Sequence, residues 1–341
     1  MKTQAENCLI IGPSWVGDMV MAQSLFMVLK QRYPSMNIDV LAPSWSEPLL
    51  DRMPEVRESI AMPIGHGSLQ LKLRYQIGKQ LRNKDYDWAI LLPNSLKSAL
   101  IPFFANIPKR TGFKGEVRYG LLNDLRHLDK QALTMTVQRF IALGLDSTEK
   151  VPTDYPTPKL LLDRETITAT TERFGLKTDQ RILALCPGAE YGPAKRWPIE
   201  YYAEVAKQMI AEGWQTWVFG SEKDKEVSQQ ICDLAGDGCT NLSSRTTLAE
   251  AIDLLSLADH VISNDSGLMH VAAALEKPLI ALYGSSDPNF TPPLNDQANI
   301  LSLGLECSPC FERECPLEHL NCLREIAPTS VISLLDKAKN T

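Results

Sequence analysis

Short apolar runs alternate with amphipathic helical stretches along this chain, and the alternation runs twice, once on each side of a proline-rich segment. That pattern restricts the fold to parallel α/β units, since strands of a parallel sheet are buried on both faces and need a crossover helix between them. In the first half, Cys8–Ile11, Ile38–Leu41, Ser59–Met62 and Trp88–Leu92 are expected strands, with a weaker one at Arg110–Phe113. Met19–Arg32, Leu69–Asn83 and Thr134–Leu143 are the helices expected between them. In the second half the strands read Ile182–Cys186, Thr216–Phe219, His260–Ser263 and Leu279–Tyr283. Ile199–Glu212, Lys223–Ala235, Leu248–Leu257 and Leu268–Leu275 are the matching helices. Three prolines in 151–158, Pro152, Pro156 and Pro158, fix φ and remove donors, so that stretch is an extended connector.

The expected architecture is α/β, with two doubly wound, Rossmann-like domains facing a central cleft, residues 1–158 and 159–327. The terminal helix 328–341 is open to either domain. A length of 341 residues agrees, because one core rarely serves so long a chain. In such sheets ligands bind beyond the carboxyl ends of the strands, so functional residues belong in strand-to-helix loops.

Charge narrows the partners. The net charge of −6 argues against a general nucleic-acid binder. Residues 1–150 hold 19 Lys/Arg against 14 Asp/Glu, and the remainder 16 against 27, so the halves differ in sign. Charge asymmetry of this kind points to different partners for the two halves, or to unrelated surface drift. The apolar stretch Cys8–Ile11 is too short for a signal-peptide core, and Pro102 and Asn106 interrupt the greasiest segment, Ala99–Ile107. A cytoplasmic location is therefore expected, where eight cysteines stay reduced.

Four loops carry candidate chemistry. After the first strand comes Gly12-Pro13-Ser14-Trp15-Val16-Gly17-Asp18, which is no GxGxxG cradle but places one carboxylate, Asp18, at a helix start. Asp18 either caps that helix or acts as a base, and the two roles are compatible. Ser263-Asn264-Asp265-Ser266-Gly267-Leu268-Met269-His270 follows a strand and opens a helix, where free amides and the helix dipole favour an anion. His270 is either a satisfied core histidine or a phosphate contact. The loop 187–198 holds Lys195 and Arg196, either a solvated pair or a phosphate clamp, before Pro198 starts a helix. Glu222 follows a strand end and has the chemistry to accept from ribose hydroxyls, although an acid at a helix start needs no function.

Taken together, GPSWVGDMVMAQSL (12–25), RTGFKGEVRYGLLND (110–124), CPGAEYGPAKRWP (186–198) and NDSGLMHVAAALEKPLIALYGSSDPNFTPPL (264–294) resemble the ADP-heptose:lipopolysaccharide heptosyltransferases, glycosyltransferase family 9. The likeness is nearer to the heptosyltransferase II branch, since loop 188–194 lacks the paired threonines of the heptosyltransferase I branch. The resemblance implies a GT-B fold, with acceptor on the first domain and nucleotide-sugar on the second. It implies inverting transfer of heptose from ADP-heptose to the first heptose of the lipopolysaccharide inner core. Heptosyltransferase I-type transfer, or a GT-B-fold nucleotide-sugar epimerase, are the alternatives.

Residue by residue, Asp18 matches the proposed general base, Lys195 the lysine on donor phosphate, and Glu222 the acid on ribose. Asp265, Ser266, Gly267, Leu268 and His270 match the segment that holds the diphosphate and faces the sugar, and Arg196 adds a second cation. No catalytic cofactor is required. The anionic glycolipid acceptor implies peripheral contact with the inner face of the cytoplasmic membrane, for which Lys72, Arg74, Lys79, Arg82, Lys84, Lys109, Arg110, Lys114, Arg118 and Arg126 offer cations. Finally, Cys307-x2-Cys310-x4-Cys315-x6-Cys322 has the density of a structural zinc site, a free-thiol cluster or, against the compartment, disulfides.

Overall fold

The computed structural model describes residues 6–65 and 67–339. Contacts divide the chain into two compact units, Met1–Leu161 and Leu162–Thr341.

In the first unit the strands are β1 (Asn7–Ile11), β2 (Asn37–Ala42), β3 (Val56–Ala61), β4 (Trp88–Leu91), β5 (Lys109–Phe113) and β6 (Asp124–Arg126). Its helices are α1 (Val16–Arg32), α2 (Glu47–Leu50), α3 (Leu71–Leu81), α4 (Leu96–Phe104) and α5 (Thr136–Gly144). All pairings are parallel, in the order β3-β2-β1-β4-β5-β6. This doubly wound order reverses between β1 and β4 and opens a crevice at their carboxyl ends. Leu9 and Ile11 of β1 and Ala89 and Leu91 of β4 share a buried cluster with Ile77, Leu81, Ile101 and Ala105 of the α3–α4 layer. Right-handed crossovers put α1, packed on α5, across the sheet from that layer.

The second unit repeats the plan with β7 (Ile182–Cys186), β8 (Gln215–Val218), β9 (Cys239–Asn241), β10 (His260–Asn264), β11 (Leu279–Leu282) and β12 (Ala298–Leu301). Helices are α6 (Arg164–Phe174), α7 (Ile199–Ala211), α8 (Lys225–Ala235), α9 (Leu248–Leu255), α10 (Gly267–Ala274), α11 (Asn321–Arg324) and α12 (Pro328–Lys339). The order β12-β11-β10-β7-β8-β9 is again parallel and reverses between β7 and β10. The terminal helix, which the sequence leaves open to either domain, belongs to this unit. Val331, Ile332 and Leu335 of α12 are buried with Tyr202, Val205 and Met209 of α7. The last two positions of the expected helix 328–341 lie outside the described residues.

Candidate active site

The candidate residues of both units stand at the carboxyl ends of strands, all but Glu222 beside the point where the strand order reverses. Asp18 follows β1. Lys195 and Arg196 follow β7, Glu222 follows β8, and Asp265, Ser266, Gly267, Leu268 and His270 follow β10.

In the first unit the chain leaves β1 through Gly12, where a Cβ would come within 2.8 Å of Met19 Cε and 3.0 Å of Ala42 Cβ. The missing side chain lets α1 turn back closely over the sheet. Trp15, in extended conformation (φ −117°, ψ 141°), holds the N-cap position, and α1 begins at Val16. Asp18 is therefore the third helical residue and not the cap that its spacing suggested. Partly buried in the first turn, it keeps the favourable field of the helix N-terminus for its ionised form.

The second unit assembles a denser constellation. Lys195 Nζ bonds Asp265 Oδ2 at 2.5 Å, so the cation expected on phosphate is held by a carboxylate that is itself buried. One carboxylate oxygen engages one of three ammonium protons, which leaves donors for a diphosphate. Ser266 caps α10, its Oγ accepting from the Met269 amide at 3.4 Å and lying 3.2 Å from Ser263 Oγ. The first-turn amides of Gly267 and Leu268 precede any intrahelical acceptor, the arrangement that favours an anion. His270 is buried in the next turn. Burial foremost, with Lys195 nearby and Asp265 opposing, lowers its pKa to about 4, so it stays neutral at physiological pH.

Arg196 turns towards Asp224, with Nη2 to Oδ1 at 3.1 Å. Glu222 is strongly exposed and stands 3.8 Å from Lys225 in a loose ion pair.

Two residues that sequence reasoning missed hold these loops in place. Buried Asn264 donates to the Pro187 carbonyl (2.6 Å) and accepts from the Trp197 amide (3.1 Å) and the Tyr202 hydroxyl (3.0 Å). It thereby ties the loop after β7 to the loop after β10. Asp224 accepts from the Ser221 amide and hydroxyl at 3.0 and 2.7 Å as well as from Arg196, which joins the loop after β8 to the same assembly. A buried polar residue between apolar strand and loop was the available signal for Asn264. Nothing in the spacing singled out Asp224.

The expected cationic surface of the first unit is smaller than the sequence count. Arg74 is buried and donates to the carbonyls of Leu69 (2.7 Å), Lys97 (3.1 Å) and Ser68 (3.2 Å). Arg118 is buried too, donating to Pro93 O (2.8 Å) and to Phe113 O. Arg82 and Arg110 cap backbone carbonyls, Lys84 pairs with Glu58, Arg126 with Asp124, and Lys109 lies 3.7 Å over the Trp88 ring. Lys72, Lys79, Arg82 and Lys114 remain exposed.

Cys307, Cys310, Cys315 and Cys322 line one cavity. Burial, and then the nearby sulfurs of Cys307, Cys315 and Cys310, push the Cys322 thiol up. No helix among the described residues is long and apolar enough to cross a membrane.

Comparison with known proteins identifies the family. The chain is 51% identical over 304 residues to lipopolysaccharide heptosyltransferase 2 of Escherichia coli (strain K12), covering 86% of this chain and 87% of that one. It is 50% identical over 308 residues to lipooligosaccharide heptosyltransferase 2 of Haemophilus influenzae, with 87% and 88% covered. The solved structure of E. coli ADP-heptose lps heptosyltransferase II superposes with a TM-score of 0.86 at 45% identity, over 97% of this chain and 98% of that one. These neighbours share the GT-B fold. The signature of glycosyltransferase family 9 (heptosyltransferase) spans residues 74–321, and the chain belongs to that family of glycosyltransferases.

Proposed function

We propose that this glycosyltransferase moves a heptose from ADP-heptose to the first heptose of the lipopolysaccharide inner core, with inversion at the anomeric carbon. The observation that carries the reading is the anion site after β10, where Lys195, the first-turn amides of α10 and neutral His270 stand together. Departure of ADP concentrates negative charge on a diphosphate, and preorganised donors at that point lower the barrier. Lys195 and the amides of Gly267 and Leu268 supply such donors, with Asp265 fixing the lysine. Arg196 adds charge from beside them, and Glu222 takes the ribose hydroxyls. Asp18 accepts the proton of the attacking acceptor hydroxyl, ionised by its place in the first turn of α1. Names of the relatives at about half identity support both the donor and the acceptor class.

ADP release tests the reaction class. It is expected only when ADP-heptose and a glycolipid acceptor are both present. Consumption of ADP-heptose without acceptor would favour the epimerase reading.

A lipid-borne acceptor also asks for a membrane-facing surface, and exposed apolar and cationic side chains of the first unit support one on α3 and α4. Leu71 and Tyr75 are exposed one turn apart on α3, with Lys72 and Lys79 on the same side of the helix. The Tyr75 ring meets Phe104 at 5.3 Å, and Phe104 meets exposed Phe103 at 5.8 Å, which extends the apolar surface onto α4. Each cation near an anionic bilayer contributes about 1 kcal/mol. Sedimentation with phosphatidylglycerol-containing vesicles should therefore carry the protein down, and a Lys72→Glu/Lys79→Glu variant much less. Equal binding of both proteins, or equal binding to neutral vesicles, would remove this surface from the account.

A further inference from the structure

The four cysteines of the tail take no part in the chemistry above, yet the fold gathers them. Residues 302–320 contain neither helix nor strand. Within them Phe311 (φ 58°), Glu318 (φ 59°) and Leu320 (φ 54°) occupy the left-handed region, which non-glycine residues hold only where their surroundings demand it. Cys307, Cys310, Cys315 and Cys322 line a cavity of about 20 Å³ together with Ala194 and Ser285. That volume suits one water-sized occupant. Water needs two to four polar partners, and thiols are poor ones. The Ser285 hydroxyl in the cavity wall is buried and has no hydrogen-bond partner. His319, also in the wall, spends its Nδ1 on the Asn321 amide at 3.0 Å.

We propose that Cys307, Cys310, Cys315 and Cys322 bind one Zn²⁺ as a closed, tetrahedral thiolate site. Soft thiolates in a set of four select this ion and geometry. As the side chains stand, no three His, Cys, Asp or Glu among the described residues surround a point that would hold a metal. Binding therefore turns the sulfurs inward, and each thiol gives its proton to solvent as it ligates.

The site has a structural task, set by what the segment touches. The Arg313 carbonyl accepts from the Ala194 amide at 3.0 Å, and the Phe311 carbonyl accepts from the Tyr191 hydroxyl at 2.6 Å. The Phe311 amide donates to the Ser285 carbonyl at 2.7 Å. A Cβ at Gly192 would run into the Arg313 backbone, so the two segments lie in direct contact. The metal thus holds 307–322 as a buttress behind the loop that presents Lys195. The metal site itself does not depend on the proposed transfer reaction, whereas the buttress role rests on that reading of Lys195.

The test begins with the full-length protein purified under reducing conditions without chelator. Elemental analysis should give about one zinc per chain, in a site closed to solvent ligands. After chelation, Co²⁺ should restore one equivalent with a thiolate-to-cobalt charge-transfer band and release of protons. Cys310→Ser and Cys315→Ser should each weaken that band, and chelation should lower both the melting temperature and the affinity for ADP measured by calorimetry. Metal-free protein with four titratable thiols and no cobalt band would overturn the site, and another metal in the same thiolates would overturn the assignment to zinc. Unchanged ADP affinity after chelation would overturn the buttress role while leaving the site standing. Full retention of zinc in both serine variants would overturn the ligand set.

Discussion

Replacing Asp18 with Asn is expected to lower the rate of heptose transfer by about 10²–10⁴-fold, the usual cost of losing a general base. ADP-heptose affinity should stay within a few-fold of wild type, because the residues assigned to the donor all belong to the second unit. The substitution keeps the shape of the side chain. It also removes the charge that favours the α1 N-terminus, a loss of about 0.3–1 kcal/mol, so the protein should fold with only a small drop in stability. Rate loss far larger than the stability loss therefore separates a catalytic base from a carboxylate that only stabilises the helix. Near-normal turnover would leave Asp18 with the helix alone.

Lys195→Ala should act on the donor instead. A charge-assisted contact to diphosphate is worth about 1.5–3 kcal/mol, or roughly ten- to a hundredfold in affinity. Both ADP affinity and kcat should fall, since charge on the leaving diphosphate grows in the transition state. The structure adds a complication that spacing alone does not show. Asp265 is buried and bonded to Lys195, and the alanine variant leaves that carboxylate without its partner. A Lys195→Ala/Asp265→Asn double variant removes the stranded charge. If ADP binding stays weak in the double variant, the lysine itself binds the donor. Recovery to wild-type affinity would mean that the unpaired carboxylate had repelled it.

How far the fold was legible follows from burial. Strands covered on both faces, such as Ile182–Cys186, are fully apolar runs and stand out. The edge strands β6, β9 and β12 are half-buried and short, and carry residues such as Asp124, Asn241 and Asn299 that mute the signal. Helix α4 escaped because its nine residues include an internal Pro102, which reads as a break. The start of α1 was set three residues late, because Trp15 at the N-cap lacks the polar side chain that marks a helix start.

Within the site, loop placement was legible and partners were not. A strand followed by Asp265-Ser266-Gly267 announces a helix N-terminus from local chemistry alone. The pairing of Lys195 with Asp265 and of Arg196 with Asp224 depends on strands β7, β8 and β10 lying side by side, over separations of 70 and 28 residues. The same holds for the first-unit arginines. Arg74 and Arg118 look like surface charge in a basic segment, yet their five-donor guanidinium groups serve as internal ties between loop carbonyls.

Product mass tests the central claim most directly. Purified protein would be incubated with ADP-heptose and, in parallel, with inner-core acceptors carrying no heptose or one heptose. The account predicts addition of a single heptose to the one-heptose acceptor, and little or none to the heptose-free one. Extension of the heptose-free acceptor alone would contradict it and assign the first-heptose step instead.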